Sequence, residues 1–237
     1  MGQSYFVWKG IDCRSLGVKL SAPVPIVRPE ERVQHIEIPG HSGDLTLIEG
    51  EGIYNSYIQT ASILVKGGMR IREIYDWLRG SGYVTFSGEP DRKQAARIIG
   101  AVTLEKQARN LDWYAGDVQF YCHPLKELLS DDPVTITSSG ATVYNRGDVI
   151  ALPKITAVST GAPKITINGK SIEPESIYMS GVNFIYDCDA FALLVQNGST
   201  LTSYSTTGNF PVLKPGANVV TGTGWSRLIF ERRERFL

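Results

Sequence analysis

Most of the chain alternates apolar and polar residues with period two, the spacing of half-buried strands. Over 96–104, Ala96, Ile98, Gly100, Val102 and Leu104 fall on one face. Over 117–122, Val118, Phe120 and Cys122 oppose Asp117, Gln119 and Tyr121. One segment departs from this. In 69–79, from Met69 to Arg79, Ile71, Ile74, Tyr75 and Leu78 recur at i, i+3, i+4 and i+7, which predicts a helix with a single apolar stripe. Gly67-Gly68 precedes it, and Gly80-Ser81-Gly82 ends it, with Gly80 placed for a left-handed cap.

The run from Pro124 to Pro133 (PLKELLSDDP) reads as a break in the strand pattern. Beyond it Ser, Thr, Gly and Asn rise and helical periodicity disappears. A boundary there gives two domains, 1–128 and 129–237. In the second, Ile165 and Ile167 alternate with Lys164, Thr166 and Asn168 before Asn168-Gly169, a strong hairpin-turn dipeptide. Further strands are expected over 182–188, 191–195 and 225–230. Several short strands with frequent turns predict a β-sandwich.

Composition narrows the function. The 237 residues are 42% hydrophobic and 20% charged, as in a globular protein. Fifteen Lys+Arg meet fifteen Asp+Glu through residue 130 and nine meet nine afterwards, which sums to 24 of each. Neither half has the basic excess of a nucleic-acid binder. The first residues lack the charged and apolar regions of a signal peptide, and position 6 is Phe6 where myristoylation needs Ser or Thr. No stretch approaches the roughly 18 apolar residues of a membrane span. Cys13, Cys122 and Cys188 are too few and scattered for a disulfide framework and read as reduced thiols.

Candidate chemistry is sparse. His41-Ser42-Gly43-Asp44 holds the residue types of a hydrolase triad, but triads converge from distant segments, and Pro39-Gly40 beside it signals a tight turn. Asp187 and Asp189 share a strand face without the further oxygen ligands of a calcium loop. Gly169-Lys170-Ser171 ends like a phosphate loop, but Lys164 stands where the first glycine would be. Gly222-Thr223-Gly224 lacks the third glycine of a dinucleotide fingerprint. His35, His41 and His123 show no paired zinc-ligand spacing with the cysteines beyond the adjacent Cys122-His123. Asn197-Gly198-Ser199 is a sequon that reads as a turn. The run Glu231-Arg232-Arg233-Glu234-Arg235 reads as a solvated or interface strand. The sequence therefore predicts no catalytic, cofactor-binding or metal-binding residues, and no enzyme.

An ordered set of features spans the first domain: Phe6-Val7-Trp8-Lys9-Gly10-Ile11-Asp12, Leu16-Gly17-Val18, a Pro-containing stretch from Pro23 to Pro29, and a strand over 32–38. The turn Pro39-Gly40-His41-Ser42-Gly43-Asp44-Leu45 follows, then Trp77-Leu78 at the helix end and Gly82-Tyr83-Val84-Thr85-Phe86. Glu89-Pro90-Asp91-Arg92 and Val118-Gln119-Phe120-Tyr121-Cys122-His123-Pro124 complete it. This order resembles the distal tail protein of long-tailed phages infecting Gram-positive bacteria, or its prophage-encoded equivalent. The resemblance covers about residues 5–125 and continues more weakly at Phe210-Pro211-Val212-Leu213-Lys214-Pro215-Gly216-Ala217-Asn218. His41 departs from it, since a basic residue such as Arg is more usual there.

The resemblance implies a mainly β fold: an N-terminal β-barrel-like domain with one α-helix and an extended hairpin, followed by a C-terminal galectin-like β-sandwich. It implies a structural baseplate role at the virion tail tip, with N-terminal domains closed into a hexameric ring, stacked rings included. Its implied partners are further copies, the tail tube protein, the tail-associated lysin or hub protein and a receptor-binding protein, with no specific nucleic acid and no membrane. A galectin-like fold does not itself imply sugar binding. Two alternatives are a tail component of a phage-tail-like bacteriocin and a carbohydrate-binding module using Tyr178, Tyr186, Tyr204 and Trp225 as stacking surfaces.

Overall fold

The computed structural model describes residues 4–48, 52–67, 70–109 and 111–237. The chain forms two compact units, Met1–Leu129 with Leu237, and Ser130–Phe236. Both are built from strands, and the described residues hold one α-helix. The mainly β class read from the period-two pattern is what the chain adopts.

In the first unit the main sheet runs in the order Ile11–Asp12, Phe6–Trp8, Ser81–Phe86, Arg92–Ile99, Leu111–Leu128, Tyr57–Lys66, Val18–Leu20. Its neighbours pair antiparallel. Alternate residues turn Phe6, Trp8, Ala61, Ile63, Val65, Val84, Ala96, Val118, Phe120 and Cys122 into one core. The helix, Arg70–Trp77, lays Ile74, Trp77 and Leu78 onto that core. Its expected start at Met69, and Gly68 before it, lie outside the described residues.

The buried helical stripe differs from the expected one in two places. Tyr75 is 39% exposed, whereas Trp77 is buried. Long-range contacts decide this. The Trp77 ring stacks on Phe6 at 5.5 Å, and the indoles of Trp8 and Trp77 each donate to the other's carbonyl oxygen at 3.1 Å. An indole N–H left unpaired in a core is costly, so the reciprocal pair fixes Trp77 inward. Gly80 closes the segment in the left-handed region as expected, at φ 74°.

Two strand expectations need correction. The strand over 96–104 ends at Ile99, because Gly100 takes φ 71° and turns the chain out of the ladder. The break expected over 124–133 begins only after Leu128, because strand Leu111–Leu128 runs through Pro124, and 129–133 lie outside any strand. Its pairing with Arg92–Ile99 shifts register between Cys122 and Lys126. Pro124, which has no N–H for the ladder, sits inside that irregularity.

The second unit is one sheet in the order Val134–Ile136, Gly216–Glu231, Lys154–Ile167, Met179–Asp187, Ala192–Asn197, Thr200–Tyr204. Strands Ala141–Asn145, Lys170–Pro174 and Thr206–Gly208 attach to its far half. The two longest strands pair with each other but lose register between Ser159 and Lys164. That bulge lets both pass from one layer to the other, so a single sheet closes over one core as a sandwich. Ile155, Ile165, Ile167, Phe184, Tyr186, Leu228 and Phe230 fill it. Asn168-Gly169 turns the chain as its composition demands, with positive φ at both residues (51° and 80°), the type I′ geometry.

Candidate subunit interface

The first unit contains a second, separate sheet of two strands, Val33–Glu37 and Asp44–Ile48. The residues joining them dictate the turn. The proline ring restrains φ at Pro39, Gly40 accepts φ 82°, and His41 N–H donates to Ile38 O at 3.1 Å, which together make a type II turn. Gly43, at φ 89°, completes the loop. A β-carbon at Gly40 or Gly43 would meet no neighbour, so backbone conformation alone requires glycine there.

The register sorts the ribbon's side chains. Ile36 stands opposite Leu45 and Gln34 opposite Leu47. With period two, Ile36, Ile38, Leu45 and Leu47 therefore share one face. The other face carries Val33, His35, Glu37, Asp44 and Thr46, with His35 Nδ1 and Thr46 Oγ1 3.4 Å apart across the strands. The base is tied down: Arg32 N–H donates to Ile53 O at 2.9 Å, Asn55 N–H to Glu30 O at 2.8 Å, and Arg32 Nε to Asn55 Oδ1 at 3.2 Å. The apolar face is not covered. Ile36, Ile38, Leu45 and Leu47 are 44, 42, 53 and 48% exposed.

A two-stranded ribbon is at best marginally stable alone in water. Four half-exposed aliphatic side chains on one face are worth roughly 1 kcal/mol each on covering, about half the value of full burial. The arrangement is suited to being clamped by a protein surface. It offers no nucleophile and base in register, since His41, Ser42 and Asp44 are spread around and beyond the turn.

The other residues singled out by sequence take structural places. Glu89 accepts from Arg92 at 2.8 Å and from Lys126 Nζ at 2.6 Å, locking the 89–92 turn to the strand Leu111–Leu128. Beside it Gln59 donates to Pro25 O at 2.7 Å and Gln94 to the Tyr57 hydroxyl at 2.8 Å, around a cavity of about 20 Å³ that has room for a single water. A polar concavity of about 450 Å³ is lined by Ser21, Ser62, Glu105, Asp117 and Gln119, with Ser62 Oγ donating to Asp117 at 2.6 Å. Burial pushes the thiols of Cys122 and Cys188 up to about 12 and raises that of Cys13. Among the described residues no three His, Cys, Asp or Glu side chains form a metal-holding group.

In the second unit the run at 231–235, expected as a solvated or interface strand, alternates buried and partly exposed residues. Glu234 and Arg232 are 1% and 7% exposed. Glu234 accepts from the Arg146 guanidinium at 2.8 Å and the Arg146 N–H at 2.7 Å, and lies 3.2 Å from Arg232. Arg233 grips Asp187 with two bonds of 2.7 and 3.0 Å, and Arg235 pairs with Asp189 at 3.0 Å. The Arg233 bonds hold the Asp187 carboxyl below its usual range despite partial burial. Alternating signs in the sequence gave the charges but not their partners, which lie about 46 to 101 residues away. Gly222 and Gly224 mark close approach rather than a dinucleotide turn, since a β-carbon on either would strike the carbonyl oxygen of Lys164 or Ala162. Of the four aromatics considered for stacking, Tyr186 is wholly buried with its hydroxyl donating to Pro163 O at 2.7 Å, and Trp225 packs against the core. Tyr178 is 79% exposed.

No protein-family model and no curated protein matches the chain. A solved structure does: the Dit protein (gp 19.1) of phage SPP1, whose crystal structure is presented as a paradigm of the hub adsorption apparatus in phages infecting Gram-positive bacteria. The TM-score is 0.80 at 18% sequence identity, over 100% of both chains. The two chains share one fold from end to end.

Proposed function

We propose that this chain is a structural, non-enzymatic distal tail protein of a phage or prophage tail tip. Copies close into a ring, of six by the family resemblance, through residues 1–128, and residues 129–237 form a peripheral platform. The ring joins the tail tube to the tail-associated hub and to receptor-binding components. The observation that carries this reading is the end-to-end fold shared with a hub adsorption protein. Two features support it independently. The apolar ribbon face needs a covering surface, and a ribbon that reaches a different surface on the next copy makes a head-to-tail contact of the ring-forming kind. The neutral charge balance suits a conduit through which DNA must pass without being held.

The test is the association state of the full chain with and without its tail-hub partner. Leu45→Asp places a carboxylate in the apolar face without touching either core. It should abolish ring assembly while leaving the thermal midpoint unchanged within about 2 °C, as surface substitutions do. Unimpaired assembly of the variant would remove the ribbon from the interface.

A further inference from the structure

The second unit ends on an open edge strand, Thr200–Tyr204, which pairs with Ala192–Asn197 on one side. Among the described residues no strand pairs with its other side. Thr200, Leu201, Thr202 and Ser203 are all exposed. In a chain that is 20% charged, the stretch from Ala190 to Leu213 has no Asp, Glu, Lys, Arg or His. Soluble proteins guard open edges with charge, proline or bulges, because bare main-chain groups recruit another strand. Two edges of the first unit carry such charges: Val18–Leu20 holds Lys19, and Glu105–Ala108 holds Glu105 and Lys106. Thr200–Tyr204 has none of these guards, and its Thr-rich composition is that of a strand made to pair.

The ladder fixes which groups are free. Gly198, at φ 60°, and Ser199 form a two-residue turn between Asn197 and Thr200, and such a turn makes its flanking residues a hydrogen-bonded pair. Alternation then directs the main chain of Thr200, Thr202 and Tyr204 towards the neighbouring strand. Leu201 and Ser203 turn their N–H and C=O groups outwards.

We propose that this edge pairs with the same edge of a second copy, antiparallel about a two-fold axis at Thr202. In that register Leu201 faces Ser203 of the other copy, and each pair exchanges two main-chain hydrogen bonds. Thr202 meets its own equivalent at the closer, non-hydrogen-bonded spacing. The contact is self-complementary in hydrogen bonding and brings no like charges together. Five residues bury far less than the roughly 1,200 Å² of a stable interface, so a single contact is weak and becomes effective when copies are already arrayed. This two-fold contact is separate from the ribbon contact of the proposed ring.

Cysteine cross-linking of the full chain tests it, since the three native thiols are buried. Thr202→Cys sets two thiols on residues about 4.5 Å apart across the axis, within disulfide reach. Thr200→Cys, on the same exposed strand, leaves its thiol opposite Tyr204 and roughly 13 Å along the strand from its equivalent. Under mild oxidation Thr202→Cys should give a disulfide-linked dimer at least about tenfold faster than Thr200→Cys, because only the former meets the geometric requirement. Equal rates, or no cross-link in either, overturn the proposal. The second outcome is expected if the edge instead receives a strand from a different protein.

Discussion

Asp187 shows how much of the second unit depends on single ionic contacts. Its carboxylate takes both Arg233 bonds and also accepts the N–H groups of Asp189 and Ala190 at 3.2 Å, so it closes the turn as well as the ion pair. Asp187→Asn should cost about 1–3 kcal/mol, the range for losing a partly buried, charge-assisted pair. The folded carboxyl is held below 3.8, so this stability is present at pH values above 3.8 and is lost as pH falls through the lower folded value. The gap between wild type and variant in denaturant titrations should therefore be full at pH 7 and shrink in acid. A gap that persists unchanged at the acid end would show that packing, not charge, holds the site. The cysteines make a second residue-scale prediction. With Cys122 and Cys188 raised to about 12 by burial, folded protein should resist thiol reagents at pH 8, and labelling should appear only with unfolding. Rapid labelling of the native state would contradict the packing. At this scale the sequence is unevenly legible. Asn168-Gly169 and Pro39-Gly40 announce their turns, because turn geometry is a property of adjacent residues. The burial of Glu234 and Arg232 is not legible, because a buried charge is recognised through its partner, and Arg146 and Asp131 are distant in sequence.

At the scale of elements, the helix is legible from its period, but which residues complete its buried face is not. Ile74 and Leu78 face the core as the stripe requires, but reciprocal indole bonds across 69 residues bury Trp77, and Tyr75 is left outside. Leu78→Ala should cost about 2–5 kcal/mol, as for other buried large-to-small changes. A cost below about 0.5 kcal/mol would mean that the stripe is not core. Strand positions followed from alternation, whereas strand lengths did not. Lys154–Ile167 and Gly216–Glu231 run through glycines, and Lys154–Ile167 through Pro163, residues that suggest ends, because their bulge accommodates both. The ribbon was legible as a strand and turn, but its isolation was not. Alternating Ile36 and Ile38 with polar neighbours signals an apolar face without saying whether the same chain covers it. The edge strand Thr200–Tyr204 gave no signal beyond β propensity. The missing charge around it is visible in the sequence and acquires meaning once the strand is known to be an edge.

For the whole molecule, period-two alternation was enough for the mainly β class. The shared fold with the SPP1 hub protein at 18% identity shows that few individual residues are needed to specify this architecture, so long as alternation and turn positions are kept. In the proposed function, copies assemble through the first unit, with the apolar ribbon as a contact and the second unit at the periphery. Electron microscopy of the full chain mixed with its tail-hub partner addresses it most directly. The expected image is a closed ring in which residues 1–128 make the intersubunit contacts, the ribbon face is covered and residues 129–237 point outwards. A complex without a ring, or a ring closed by residues 129–237 with the ribbon left in solvent, would contradict it.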